Sequence, residues 1–159
     1  MSGDGRIPHA RSRNVAIDAG RRRLLRAAAT MTLAAVASAL AAQDARSFGA
    51  QSAARKWLAL TDQLDAAKSW DAADDKFRKS MAQDKWTAVL KRIRAPLGPI
   101  VQRAAISTRF EKSMKGFPPG DYALVVFRSA FAKKTDSKET VTLDRDSDGT
   151  WRVVGYAIG

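Results

Sequence analysis

Between residues 50 and 94 the apolar positions recur at helical spacing. Ala53, Trp57, Leu60 and Leu64 stand four, three and four residues apart, which puts them on one face of a helix. Ser69 is in place to cap a second helix, whose stripe runs Trp70, Ala73, Phe77 and Met81. Asp84 can cap a third, with Trp86, Val89, Leu90 and Ile93 on its apolar side. The helical region ends at "RAPLGPI", residues 94 to 100, because Pro96 and Pro99 have no amide donors to continue a ladder.

From there the period becomes two. Ile100, Ala104, Ile106 and Phe110 alternate with Arg103, Ser107 and Arg109, predicting a strand with the even positions inward. "KGFPPGD" at 115 to 121 is a loop, and "YALVVFRSAF" at 122 to 131 is apolar on both parities, as a central strand is. We assign Ala123, Val125, Phe127 and Phe131 to the helix side, and Tyr122, Leu124, Val126 and Arg128 to the other face. Residues 139 to 145 set Val141 and Leu143 against Thr140 and Thr142, and "TWRVVGYAI" supplies the last strand, with Arg152, Val154, Tyr156 and Ile158 on its second face. Three helices followed by four antiparallel strands make an α+β domain, with the aromatic stripes laid across the sheet. If its far face is uncovered, that face carries an apolar patch rimmed by Tyr122, Arg128, Arg152 and Tyr156. Such a patch marks a partner, a small ligand or a homodimer contact.

Upstream of residue 43 the chain reads differently. Seven arginines within residues 1 to 26 precede "AAATMTLAAVASALAA", sixteen uncharged and mostly small residues. This is the order of a cleavable export signal, with cleavage after Ala41 or Ala42. The apolar run falls short of the roughly 20 residues that span a bilayer, so no stable membrane anchor is expected. Within "GRRRLLR", Arg21 and Arg22 followed by Leu24 and Leu25 match a twin-arginine signal, although Gly20 stands where a serine or threonine is usual; the general secretory route stays open. The expected organisation is residues 1–42 as signal and 43–159 as one domain, delivered to the periplasm or the medium of a bacterium.

Removing the signal changes the chemistry. The full chain has 28 Lys and Arg against 16 Asp and Glu. From residue 43 onward 21 stand against 14, a basic surface without a cluster, so a nucleic-acid partner is not expected. The chain's one histidine is His9, and there is no cysteine, so the domain lacks the side chains that most often perform acid-base, nucleophilic or zinc chemistry. No cofactor is expected. An enzyme would have to use a pocket carboxylate, for which Asp62, Asp65, Asp74 and Asp75 are placed near the helices. "DRDSDG" at 144 to 149 imitates the start of a calcium loop. The twelfth position from Asp144 is nevertheless Gly155 and the ninth is Arg152, and strands flank it, so it reads as a hairpin turn and no metal site is expected.

Taken together, "WLALTDQLDAAKSWDAADDKFRKSM", "KWTAVLKRIRAPLG", "FPPGDYALVVFRSAFAKK" and "ETVTL" followed by "DGTWRVVGYAI" resemble the bacterial "domain of unknown function 4019" family from about residue 50 to the end. That resemblance implies exported proteins with no established activity and no catalytic residues to carry over. The order of helices before a meander is similar to the cystatin-like and nuclear-transport-factor-like cone folds, where a curved sheet wraps helices around a pocket. The domain is therefore expected to be an exported, non-catalytic binding module for an envelope protein or small ligand, and alternatively a small-ligand enzyme with a pocket carboxylate.

Overall fold

The computed structural model describes the backbone from residue 15 onward and side chains at Ser38 and from Leu40 onward. The side chains of Arg21, Arg22, Leu24 and Leu25 lie outside the described residues, and Ala41 and Ala42 are exposed helical positions. Two compact units divide the chain, Met1–Gln43 and Asp44–Gly159, and the second holds the whole sheet and the core. Among the described residues, no helix is long and apolar enough to cross a membrane.

The elements run α1 (Val15–Asp62), α2 (Ala66–Asp71), α3 (Asp75–Ser80), α4 (Gln83–Arg94), a one-turn 3-10 helix (Ala95–Leu97), then β1 (Ile100–Glu111), β2 (Tyr122–Phe131), β3 (Lys134–Arg145) and β4 (Trp151–Ile158). The strands form one antiparallel meander in the order β1-β2-β3-β4. This is the expected α+β class, with one more helix than expected.

The extra helix comes from Asp74. Where one helix was expected from Ser69 to Met81, the chain breaks after Asp71, and the Asp74 carboxylate caps α3 by accepting from the Lys76 amide at 2.7 Å. The Asp74 amide donates to Val153 O at 2.8 Å, which ties the break to the outer edge of β4. Asp65 caps α2, leaving Ser69 buried inside it, and Ala82 precedes α4 with Asp84 in its first turn.

Three indoles pin these short helices together. Trp57 Nε1 donates to Ser69 O at 2.7 Å, Trp86 Nε1 to Ser69 Oγ at 2.9 Å, and Trp70 Nε1 to Met81 O at 2.7 Å. An indole buries a large apolar area but carries a donor that must be met, so each bond fixes a ring orientation as well as a position. Trp57, Phe77, Trp86 and Tyr156 form a ring cluster with centroids 5.2 to 6.4 Å apart. It rests on Val125, Phe127, Val141, Leu143 and Val153 of the sheet.

The sheet departs from simple alternation at bulges. In β1 the register with β2 shifts between Ile100 and Gln102 and again between Ala105 and Ser107, leaving Val101 and Ile106 as extra residues, and both are exposed. The inward positions are therefore Arg103 and Ala105 before the second bulge, and Thr108 and Phe110 after it. Ile106 and Ala104, expected inward, are exposed, and Arg103, expected outward, is turned in. In β4 the pairing passes from Leu143↔Val153 to Thr142↔Gly155, with Val154 as the extra residue. An inserted residue reverses the parity of everything beyond it, so Val153 and Tyr156 both reach the helices.

The tightest test of this packing is Trp57→Ala. Trp57 is 3% exposed and joins α1, α2 and the ring cluster. Its truncation is expected to cost about 3–5 kcal/mol, read as a lower urea midpoint at unchanged slope. Truncating the half-buried Trp151 should cost distinctly less.

Candidate functional site

In the space between helices and sheet, the interior is polar at one end. Glu139 on β3 is fully buried. Its Oε2 accepts from Arg103 Nε at 2.7 Å and from Ser129 Oγ, and its Oε1 accepts from Tyr156 OH at 2.7 Å. Arg103 continues the network by donating Nη1 and Nη2 to the two oxygens of Asp62 at 2.7 and 2.8 Å. Asp62 Oδ1 also accepts from Arg94 Nη2 at the end of α4. All four strands and the ends of α1 and α4 contribute one member each.

Formal charge cancels within this group, two guanidiniums against two carboxylates. That balance is what makes burial tolerable, since an uncompensated charge there would be strongly destabilising. The two carboxylates hold Arg103 protonated above its ordinary range, against the opposing effect of burial. Tyr156 is also pushed up, first by burial and then by the Glu139 charge it faces. The network supplies no spare base. Asp62, the interior carboxylate named from the sequence, accepts three guanidinium bonds and is 14% exposed. The other three acidic candidates are also engaged: Asp65 caps α2 and pairs with Lys68 at 2.8 Å, Asp74 caps α3, and Asp75 pairs with Arg78.

The four residues expected to rim the outer sheet face do not gather there. Tyr122 is buried under the β1–β2 loop. Its OH donates to Pro118 O at 2.7 Å, its ring lies 5.7 Å from that of Phe117, and Gly120 sits so close that a Cβ would meet the ring at 2.9 Å. Tyr156 points to the helices because of the Val154 bulge. Arg128 is exposed and pairs with Asp136 at 3.1 Å, and Arg152 pairs with Asp146 and, at 3.0 Å, with Asp148. Between them Leu124 and Val126 are half-buried, with Arg109, Thr142, Ser107 and Thr140 as cross-strand neighbours. The outer face is thus a narrow apolar strip among polar residues.

The aspartates of "DRDSDG" divide between turn and helix contacts. Gly149 takes φ +82°, Thr150 N donates to Asp148 Oδ1 at 2.8 Å, and Asp146 N bonds to Thr150 O at 3.0 Å, which closes the β3–β4 turn. Arg152, and then the Thr150 amide, hold the Asp148 carboxyl down at about 2. Asp144 is buried and bonded by Lys76, and it comes within 4.8 Å of Asp74 and Asp146. The cations that serve this acidic group are the protein's own Lys76 and Arg152.

The open apolar concavity lies elsewhere, between α1 and β4. It has a volume of about 480 Å³, and its apolar walls are Phe48, Trp57, Leu60, Trp151 and Val153. No carboxylate lines it, and its lysine, Lys56, has no ion-pair partner among the described residues. Phe48 is 75% exposed at its rim, an aromatic that no core contact requires. Arg46, two residues before Phe48 in α1, stacks 3.9 Å over Phe110 and pairs with Asp121. The helical pattern read from residue 53 onward does not reach Phe48; its place just before that stripe was the available signal.

Compared with known proteins, residues 53–156 match the family model described as "Protein of unknown function (DUF4019)". No curated protein and no solved structure matches the chain.

The tyrosines give the domain a pH signature, Tyr156 from within the network and Tyr122 from under the β1–β2 loop. The chain has two, Tyr122 and Tyr156, and burial raises both. A phenol whose folded pKa lies above its unfolded value of about 10 contributes stability that is full below pH 10 and falls as pH rises further. In an alkaline titration, phenolate absorbance is expected to stay low past pH 10 and then rise together with the loss of tertiary circular dichroism. Ionisation of either tyrosine near pH 10 in the folded chain would contradict the buried geometry.

Proposed function

We propose that this chain, which belongs to the DUF4019 family of proteins of unknown function, is exported by a bacterium and acts in its envelope as a non-catalytic binding module. Its contact surface is the groove between α1 and β4, and its occupant is an apolar segment of a partner protein with an acidic flank. The observation that carries this reading is the division of labour between the two concave regions. The interior carboxylates are consumed by guanidinium and phenol bonds, whereas the groove is largely apolar, open, lined by no acid and bordered by Lys56, which has no ion-pair partner among the described residues. An apolar wall bordered by Lys56 and by Arg152, the latter already paired with Asp146 and Asp148, favours an apolar partner that brings a negative charge to Lys56.

The absence of cysteine and of any histidine beyond His9 supports binding over catalysis. The enzyme alternative would need a carboxylate free to exchange a proton, and Asp62 already holds three donors. A homodimer through the sheet has less to build on, because the apolar residues of the outer face, Leu124, Val126 and the bulge residue Ile106, stand among Arg109, Arg128, Thr140 and Thr142. Export rests on the arginine-rich start, the alanine-rich run and the small residues at Ala41 and Ala42.

Two measurements bear on this. Produced in a bacterial host with a C-terminal tag, the chain should leave the cytoplasm and yield a mature N-terminus at Ala42 or Gln43; uncut chain confined to the cytoplasm would refute export. The purified protein should bind anilinonaphthalene sulfonate, an apolar anion, saturably in its native state. Phe48→Glu, at a residue too exposed to affect folding, should weaken that binding on the order of tenfold at unchanged melting temperature. Unaltered dye binding in the variant would exclude the groove.

A further inference from the structure

One end of the domain gathers the C-terminal turns of α1 and α4, the start of β1 and the β2–β3 turn. Two backbone bonds hold the last three together, Lys133 N donating to Leu97 O and Ala132 N to Pro99 O, both at 2.9 Å. The stem of Lys133 lies 3.4 Å from where a Cβ on Gly98 would sit. Leu64, Arg94, Gly98 and Pro99 line one small concavity, which puts the end of α1 beside the same loop.

Charge does not cancel at this end. Lys91 and Arg92 occupy the last turn of α4, and Lys133 and Lys134 the β2–β3 turn. All four are exposed, and none has an ion-pair partner among the described residues. The acids nearby are already taken, Asp62 by Arg94 and Arg103, Asp65 by Lys68 and Asp136 by Arg128. At the opposite end of the meander, the β3–β4 turn collects Asp144, Asp146 and Asp148 instead.

Apolar side chains stand among the cations. Large exposed apolar residues in the unit from Asp44 onward are Phe48, Leu64, Val101 and Ile106, and two of these four are at this end. Val101 is the extra residue of the first β1 bulge and is 71% exposed, next to Ile100, whose partner on β2 is Phe131. Leu64 follows α1 at φ +57°, the sole positive-φ residue other than glycine among those described, and is 45% exposed. Glycine or asparagine would take that backbone at lower steric cost, so stability alone does not call for a leucine.

We propose that this end of the domain docks on the surface of an anionic phospholipid bilayer. Lys91, Arg92, Lys133 and Lys134 meet lipid phosphates, and Leu64 and Val101 enter the acyl boundary between them. Cations alone would suit any polyanion. Alkyl groups projecting among them, with the exposed aromatic Phe48 away at the groove, select phosphates backed by hydrocarbon over stacked bases. The surface shares no residue with the lining of the α1–β4 groove, so failure of either leaves the other standing.

The chain has no cysteine, so a single introduced one can carry a polarity-sensitive fluorophore. On the full chain, a label at Val101→Cys should shift to the blue with phosphatidylglycerol vesicles and not with phosphatidylcholine vesicles. A label at Ser147→Cys, exposed in the β3–β4 turn, should shift with neither. Heparin, a polyanion without hydrocarbon, should leave the Val101 label unshifted. Lys133→Gln combined with Lys134→Gln should raise the lipid needed for half the shift roughly thirtyfold. Leu64→Asn, which suits the left-handed backbone, should raise it several-fold without lowering the melting temperature. No shift at Val101, an equal shift at Ser147, a shift of the same size with heparin, or an unchanged lipid requirement in either folded variant would overturn the proposal.

Discussion

A carboxylate with no access to solvent organises this domain. Glu139 projects from β3 into the space under the helices, and an ion there is tolerable only if each oxygen is met. Arg103, Ser129 and Tyr156 meet them, and these residues come from the other three strands. Arg103 then needs a second anion to balance its own charge and Arg94, and Asp62 at the end of α1 provides it. Strand register, helix length and the β4 bulge are thereby coupled. Moving any one of these elements by a residue would strand a charge in the interior. Directional bonds of this kind select one arrangement more sharply than apolar contact does, which matters in a domain without disulfides.

The same coupling explains what could be read from the chain and what could not. Helical stripes and the alternation in β2 and β3 identify the core, because Trp57, Phe77, Trp86, Val125, Phe127, Val141 and Leu143 fall on the expected faces. Arg103 and Tyr156 do not. A period-two reading extends parity unbroken along a strand, and the extra residues Ile106 and Val154 reverse it without any local mark in composition. Glu139 did leave a signal, a lone acid on the parity of Val141 and Leu143, and an acid on a core face calls for a partner. The break at Asp74 was hidden for another reason: its cause, the bond to Val153 O, lies far along the chain.

Those bulges also decide where ligands can go. Had Tyr156 faced outward as alternation predicts, the outer sheet face would have gained an aromatic rim and the interior would have kept an open carboxylate. The Val154 insertion instead delivers the phenol to Glu139, on the same side of the sheet as Trp151 and Val153 in the wall of the α1–β4 groove. One inserted residue thus closes the polar interior.

The aspartates of the last turn show the same economy of charge on the surface. Asp144, Asp146 and Asp148 crowd a short stretch in the manner of a calcium loop, yet each finds a cation that the fold already carries, Lys76 from α3 or Arg152 from β4. A divalent ion entering there would have to displace a lysine that is itself tied to the sheet through the α3 cap. The acids are better understood as the sheet's half of a clamp whose other half is α3. The Asp74 amide on Val153 and the Lys76 ammonium on Asp144 hold the helix across β3 and β4 at two points. With the indole bonds of Trp57, Trp86 and Trp70 on the other side of the break, helices too short to persist alone are fixed by directed bonds at both ends.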